Sequence, residues 1–127
     1  MELGHESAYR SSVTTDDAAS AVMAALDAPS GVYNVVDDRP LTRAEYVEAL
    51  AEALGVPTPT ITSVTPEQTP PNWVMSRSQR VSNERFKAVT GWRPQFASAR
   101  EGWVFVTIEW RTQHGPEAAA LAVSGPP

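Results

Sequence analysis

Apolar residues in this sequence recur in short registers separated by proline and glycine, and one register is long enough to define an element by itself. From Leu41 to Gly55 the chain reads LTRAEYVEALAEALG. Tyr46, Val47, Leu50, Ala51 and Leu54 recur at three- and four-residue intervals, which predicts one apolar face of a helix. Thr42 and Glu45 have the spacing of a capping box, Leu41 and Tyr46 that of its hydrophobic staple, and Gly55 stands where a left-handed C-cap belongs. An earlier helix is predicted after Thr14-Thr15-Asp16-Asp17, which offers a hydroxyl cap and two acids to the positive end of the helix dipole. Its apolar positions are Ala18, Val22, Ala25 and Leu26, and Pro29-Ser30-Gly31 stops it.

Strand signals are shorter. Tyr9–Val13 alternates loosely, and Val32–Val36 is a β-branched and aromatic run that predicts the clearest strand, closed by the turn Asp37-Asp38-Arg39-Pro40. Five prolines fall within Pro57–Pro71, where Thr60–Val64 is a candidate strand and Pro66–Pro71 a loop for Trp73 and Met75 to pin down. Ser82-Asn83 is a cap for a short helix carrying Phe86 and Val89 and ended by Gly91. Trp103–Trp110 fits either period, since Trp103, Val106 and Trp110 make a helix face while Val104, Val106, Ile108 and Trp110 alternate as in a strand. The capping-box spacing of Ser98 and Glu101 favours the helix. Together these predict one α/β domain over residues 1–112, with about four helices and two or three short strands. An Ala/Pro/Gly-rich flexible tail is expected over 113–127.

With 127 residues the chain has room for a single domain. Its net charge of -5 argues against nucleic acid or an anionic membrane surface as partner. There is no cysteine, and the two histidines, His5 and His114, lie in the terminal segments, so no metal centre is expected. Val104–Ile108, interrupted by Thr107, is far shorter than the roughly 20 residues of a membrane span. No secretion signal follows Met1, so the expected location is the cytoplasm.

Nucleotide chemistry has no foothold in these residues. None of the 7 glycines is grouped as a dinucleotide or Walker loop requires, so no cofactor is expected. No tyrosine has a lysine four positions on: Tyr9, Tyr33 and Tyr46 are followed there by Val13, Asp37 and Leu50. A Ser-His-acid triad would have to draw its histidine from a terminal segment. The remaining catalytic candidates are the paired acids Asp16/Asp17 and Asp37/Asp38, whose carboxylates can raise one another's pKa when buried. Their simpler reading is a helix start and a solvated turn. Arg77, Arg80 and Arg85 can hold an anionic group of a ligand or balance surface acids, and Trp73 serves equally as lid or core plug.

Five phrases come in a telling order: Val13-Thr-Thr-Asp16-Asp17-Ala-Ala, Gly31-Val-Tyr33-Asn34-Val, Pro40-Leu-Thr42-Arg-Ala-Glu45-Tyr, Arg80-Val-Ser82-Asn83-Glu-Arg-Phe86 with Thr90-Gly91-Trp92-Arg-Pro94, and Ser98-Ala-Arg-Glu101-Gly102. In this order the sequence resembles the C-terminal third of the NAD-dependent epimerase/dehydratase family, the extended short-chain dehydrogenases/reductases, over roughly residues 7–112. The resemblance implies a substrate-binding lobe whose Rossmann half, with the glycine-rich loop and catalytic Ser/Tyr/Lys set, would precede residue 1. No catalytic residue therefore carries over, and Thr14 stands where the family often has histidine. Residues ahead of the Arg80–Phe86 phrase contact substrate in relatives, which draws attention to Trp73, Met75 and Arg77.

Three functions fit. The first is a small-molecule-binding lobe that is not competent for NAD redox chemistry alone, with Tyr33, Trp73, Met75, Arg77 and Arg80 as substrate-binding residues. The second is a standalone, cofactor-independent cyclase, isomerase or dehydratase of secondary metabolism, for which Asp16, Asp17 and Asp38 are the catalytic candidates. The third is a non-catalytic assembly module. All three leave apolar surface to cover, so either a homodimer through Trp103, Phe105, Ile108 and Trp110 or a separate Rossmann-type subunit is expected.

Overall fold

Helix α2, Arg43–Leu54, forms where the local signals converge. The Glu45 amide donates to Thr42 Oγ1 at 3.3 Å and the Thr42 amide donates to Glu45 Oε2 at 2.8 Å, so both halves of the capping box are made. Gly55 ends the helix at φ 71°, a left-handed conformation that a Cβ would strain. This is a computed structural model, and it describes residues 7–62 and 77–123, with side chains as far as 115. The predicted residues Trp73 and Met75, and the loop they were to pin down, lie outside that range. Among the described residues the fold is a small α/β arrangement of four helices and one two-stranded sheet, in agreement with the expected class.

The sheet pairs β1, Tyr9–Arg10, with β2, Leu41–Thr42, antiparallel with Tyr9 opposite Thr42 and Arg10 opposite Leu41. The strand expected over Tyr9–Val13 is thus only two residues long, and its partner was not foreseen. Thr42 explains both, because it is at once the end of the strand and the cap of α2. The stretch after β1 is fastened instead by residues far along the chain: Gln79 donates its amide to Tyr9 O at 2.9 Å, and Val81 donates to Ser11 Oγ at 2.9 Å.

Helix α1, Thr15–Ala25, is capped by Thr14, whose Oγ1 accepts from the Asp17 amide at 3.1 Å. The expected apolar face is corrected here. Val22 and Leu26 are 64% and 72% exposed, and the core face is made of Ala21 and Ala24, small enough for Phe86 and Trp92 to approach. Phe86 comes from α3, Glu84–Thr90, and its ring lies 5.5 Å from Trp92 and 5.7 Å from Tyr33. Asn83 occupies the cap position of α3 without a capping bond; Ser82 Oγ accepts from the Glu84 amide instead. The Asn83 amide is spent on a tertiary clamp, donating to Val36 O and Asp38 Oδ1, both at 2.8 Å.

That clamp holds the run Val32–Val36. It has the in–out alternation of a strand, with Tyr33 and Val35 against the Phe86 cluster and Val32 and Asn34 outward, yet no strand pairs with it among the described residues. Among the described residues, the predicted strand is therefore a ribbon without a ladder. Of Thr60–Val64, residues 60 and 61 are not strand, Thr62 forms an isolated β-bridge, and 63 and 64 fall outside the described range.

Helix α4, Ala99–Val123, resolves the ambiguity at Trp103–Trp110 in favour of helix. Its start is fastened by a hydrogen bond between Ser98 Oγ and Glu101 and by the Arg100 amide donating to Ser98 Oγ at 3.2 Å. It packs along α2, with Trp103 edge-on to Tyr46 at 5.7 Å, while Phe105 lies 5.0 Å from Phe96. Trp103 and Phe105, for which an outside partner was expected, are half-buried in these contacts within the chain. Val104, Ile108 and Trp110 are the large apolar residues of α4 left outward, 48%, 58% and 36% exposed. Gly102 lets the two helices meet, since a Cβ there would sit 2.9 Å from Thr14 Cγ2 at the head of α1. Across the stretch assigned to the tail, the backbone stays helical to Val123, with a break at Gly115 (φ 72°, ψ 174°). No described helix is long and apolar enough to cross a membrane.

Candidate functional site

The structure disperses most of the residues singled out from the sequence. Asp16 is exposed on the first turn of α1, whereas Asp17 is buried and its two oxygens accept from the amides of Gln95 at 2.7 Å and Phe96 at 3.2 Å. Asp17 therefore ties the head of α1 to the 95–96 loop. Asp38 Oδ1 receives Lys87 Nζ and Asn83 Nδ2, both at 2.8 Å. Burial works against its charge, but those bonds and the Lys87 ammonium outweigh it and hold the carboxyl below its usual range. The Tyr33 hydroxyl donates to Pro29 O at 2.6 Å, beside the α1–α3 cluster. The arginines face different rings: Arg80 lies 4.6 Å over Tyr9 and Arg85 5.1 Å over Tyr33. Arg77 contributes its carbonyl, which accepts from Arg43 Nη2 at 3.2 Å. Neither Tyr33 nor Arg77 lines the three cavities described among these residues. Arg80 instead borders a charged cleft of about 470 Å³ with Arg39, Glu45 and Arg100.

A different set of residues converges between the 12–15 segment, α2 and α4. There a cavity of about 210 Å³ is lined by Val13, Tyr46, Phe96, Trp103 and Val106, with Ser12, Thr14, Asp37 and Ser98 supplying polar edges. Asp37 is held by Ser12 twice: its amide donates to Ser12 O at 2.7 Å, and Ser12 Oγ donates to its Oδ2 at 3.1 Å. The residue is only 5% exposed, and Oδ1 has no partner. Trp103 Nε1 is likewise buried and makes no hydrogen bond of full geometry, although its N–H acts on the Tyr46 hydroxyl. Such groups each cost about 1–3 kcal/mol when left unpaired.

Burial is the chief cause of the raised Asp37 pKa, about 6, and the charges of Asp38 and Glu101 add to it; the bonds from Ser12 and the Arg39 backbone oppose it. The Tyr46 hydroxyl is also pushed up by burial and by the Asp37 charge, with the Arg10 guanidinium 4.6 Å from its ring and the Trp103 N–H pulling the other way. A carboxyl titrating near neutrality in an apolar recess is able both to bind a polar group and to exchange a proton with it. Sequence reasoning ranked Asp38 above Asp37 and overlooked Tyr46 and Trp103 as site residues. The signal was present: the alternation that turns Tyr33 and Val35 inward also turns Asp37 inward and Asp38 outward. Among the described residues no group of three or more His, Asp and Glu side chains is placed to hold a metal ion.

Comparison with known proteins places this geometry in context. No protein-family model matches the chain. A 3-diazoavenalumate denitrifying reductase from a Streptomyces species is 29% identical over 92 residues, 68% of this chain. A functionally unknown conserved protein from Silicibacter pomeroyi superposes on 81% of the chain with TM-score 0.67 and 26% identity. The RMD protein of Pseudomonas aeruginosa, solved in complex with NADPH, shares the fold over 89% of the chain with TM-score 0.63 and 22% identity. The chain spans 30% of the Streptomyces reductase's length, and 39% and 35% of the two solved chains. It is similar in sequence to a reductase and in fold to part of a protein that binds NADPH.

Proposed function

We propose that this chain is the small-molecule-binding lobe of a reductase-like protein of the extended short-chain dehydrogenase/reductase kind, holding its ligand in the cavity beside Asp37. The observation that carries this reading is the largely apolar recess of about 210 Å³ itself, walled by Val13, Tyr46, Phe96, Trp103 and Val106 and edged by Ser12, Thr14, Asp37 and Ser98. The sequence similarity to a reductase, and the fold shared with a protein solved with NADPH, support the reductase context. Hydride chemistry falls to a dinucleotide-binding half, since no glycine-rich phosphate loop occurs in these residues. Two arms test the reading. Phenol, used as a probe, is expected to raise the melting temperature of the wild type but not of Val106→Trp, whose indole fills the cavity while far-UV circular dichroism stays unchanged. Calorimetric titration of the chain alone with NADPH is expected to give no heat of binding. Equal phenol stabilisation of both proteins, or micromolar NADPH affinity, overturns it.

One observation favours a second reading. The Asp37 carboxyl, titrating near 6 inside the recess, has the properties of a general acid–base group, as a standalone cofactor-independent isomerase or cyclase would need. We further propose that the outward face of α4, with Val104 and Ile108 one turn apart, mediates a homodimer.

A further inference from the structure

We infer that the recess takes the uncharged hydrocarbon end of its ligand, one ring the size of benzene or toluene, and holds it by fit alone, with the ligand's polar groups left outside. The inference rests on the recess being the binding site, and goes beyond it by naming what enters and how it is held.

The polar side chains of the lining are already committed within the protein. Ser12 Oγ donates to Asp37 Oδ2 at 3.1 Å, and Thr14 Oγ1 accepts from the Asp17 amide at 3.1 Å. Ser98 is buried; its Oγ is bonded to Glu101 and accepts from the Arg100 amide at 3.2 Å and from Arg39 Nη2 at 3.4 Å. The Trp103 N–H acts on the Tyr46 hydroxyl. Asp37 Oδ1 and Trp103 Nε1 are buried atoms with almost no exposed surface, so neither is open to a ligand. Thr15 is exposed at the head of α1. What the recess offers is therefore the hydrocarbon of Val13, Tyr46, Phe96, Trp103 and Val106. A hydroxyl carried into such a site loses its water and finds no partner, whereas each added carbon gains by burial.

Volume sets the size of the group. An apolar cavity of about 150 Å³ holds benzene, so about 210 Å³ leaves room beside one ring for roughly two further carbons, fewer than a fused second ring adds. The walls suit a flat ring and are themselves braced. Trp103 stands edge-on to Tyr46 at 5.7 Å, and Phe96 is tilted against Phe105 at 5.0 Å.

The test titrates benzene, toluene, phenol and naphthalene into the wild type and Val106→Trp at pH 7.5, with affinities read by ligand-observed NMR. The wild type is expected to bind toluene about 4-fold tighter than benzene, as one further buried carbon provides. Phenol is expected to enter by its ring and bind no tighter than benzene, and naphthalene no tighter than toluene. Val106→Trp is expected to bind none of them. Intermolecular NOEs from toluene to the Val13 and Val106 methyls locate the ligand in the wild type, so the test stands even if the variant folds poorly. Phenol tighter than benzene overturns the inference and means that Asp37 turns its carboxyl to the ligand. Naphthalene tighter than toluene, or toluene no tighter than benzene, also overturns it while leaving the recess as a binding site. Binding of none of the four, or NOEs to other methyls only, overturns both.

Discussion

Asp37 and Asp38 are adjacent in sequence and opposite in electrostatic character. Asp38 is held ionised by Lys87 and Asn83, while burial resists the charge of Asp37. Raising a carboxyl from the ordinary 3.8 to about 6 in the folded state makes folding most favourable below 3.8 and weakens it as pH rises through 6. The stability of the wild type relative to Asp37→Asn is therefore expected to fall by up to about 3 kcal/mol between pH 4 and 7. Parallel thermal melts of the two proteins check this, and a difference that stays flat across the window counts against it. Asp17 offers the complementary case. Its replacement by alanine strands the Gln95 and Phe96 amides and is expected to cost about 2–4 kcal/mol in urea unfolding, with little change in binding at the Asp37 cavity.

At the level of elements, α2 and the head of α4 were legible because their signals are local. A hydroxyl, an acid three positions on and a terminal glycine act within one turn, and Thr42→Ala is expected to remove about 1 kcal/mol from chemical-denaturation stability. What the sequence concealed depends on neighbours. Val22 and Leu26 have helical spacing, but Phe86 and Trp92 select the alanine side of α1 instead. Val32–Val36 has a strand's alternation without a strand's partner, and that alternation was the clue to Asp37 that residue-type reasoning passed over. Gly102 is the contact at which α4 meets the head of α1. Gly102→Ala is expected to destabilise by about 1–3 kcal/mol despite alanine's better helix propensity, measured by thermal unfolding, because the new methyl collides with Thr14.

Among the described residues, apolar side chains remain outward on three helices: Val22 and Met23 on α1 with Leu26 at its end, Val89 on α3, and Val104, Ile108 and Trp110 on α4. If α4 joins two copies, light scattering at micromolar concentration reads a dimer, and the paired change Val104→Lys with Ile108→Lys reads a monomer with unchanged helix content. A wild-type monomer excludes that arrangement. The fastening of the segment after β1 has a consequence for how the chain comes off the ribosome. Tyr9 is bonded to Ser78, 69 positions later, and Asp17 to Gln95, 78 positions later. At about 5–20 residues per second, the leading strand waits about 3–16 s for the residues that fasten it. During that interval it is open to chaperones and to its neighbours on the polysome, so slowing translation after codon 17 is expected to lower the yield of folded protein.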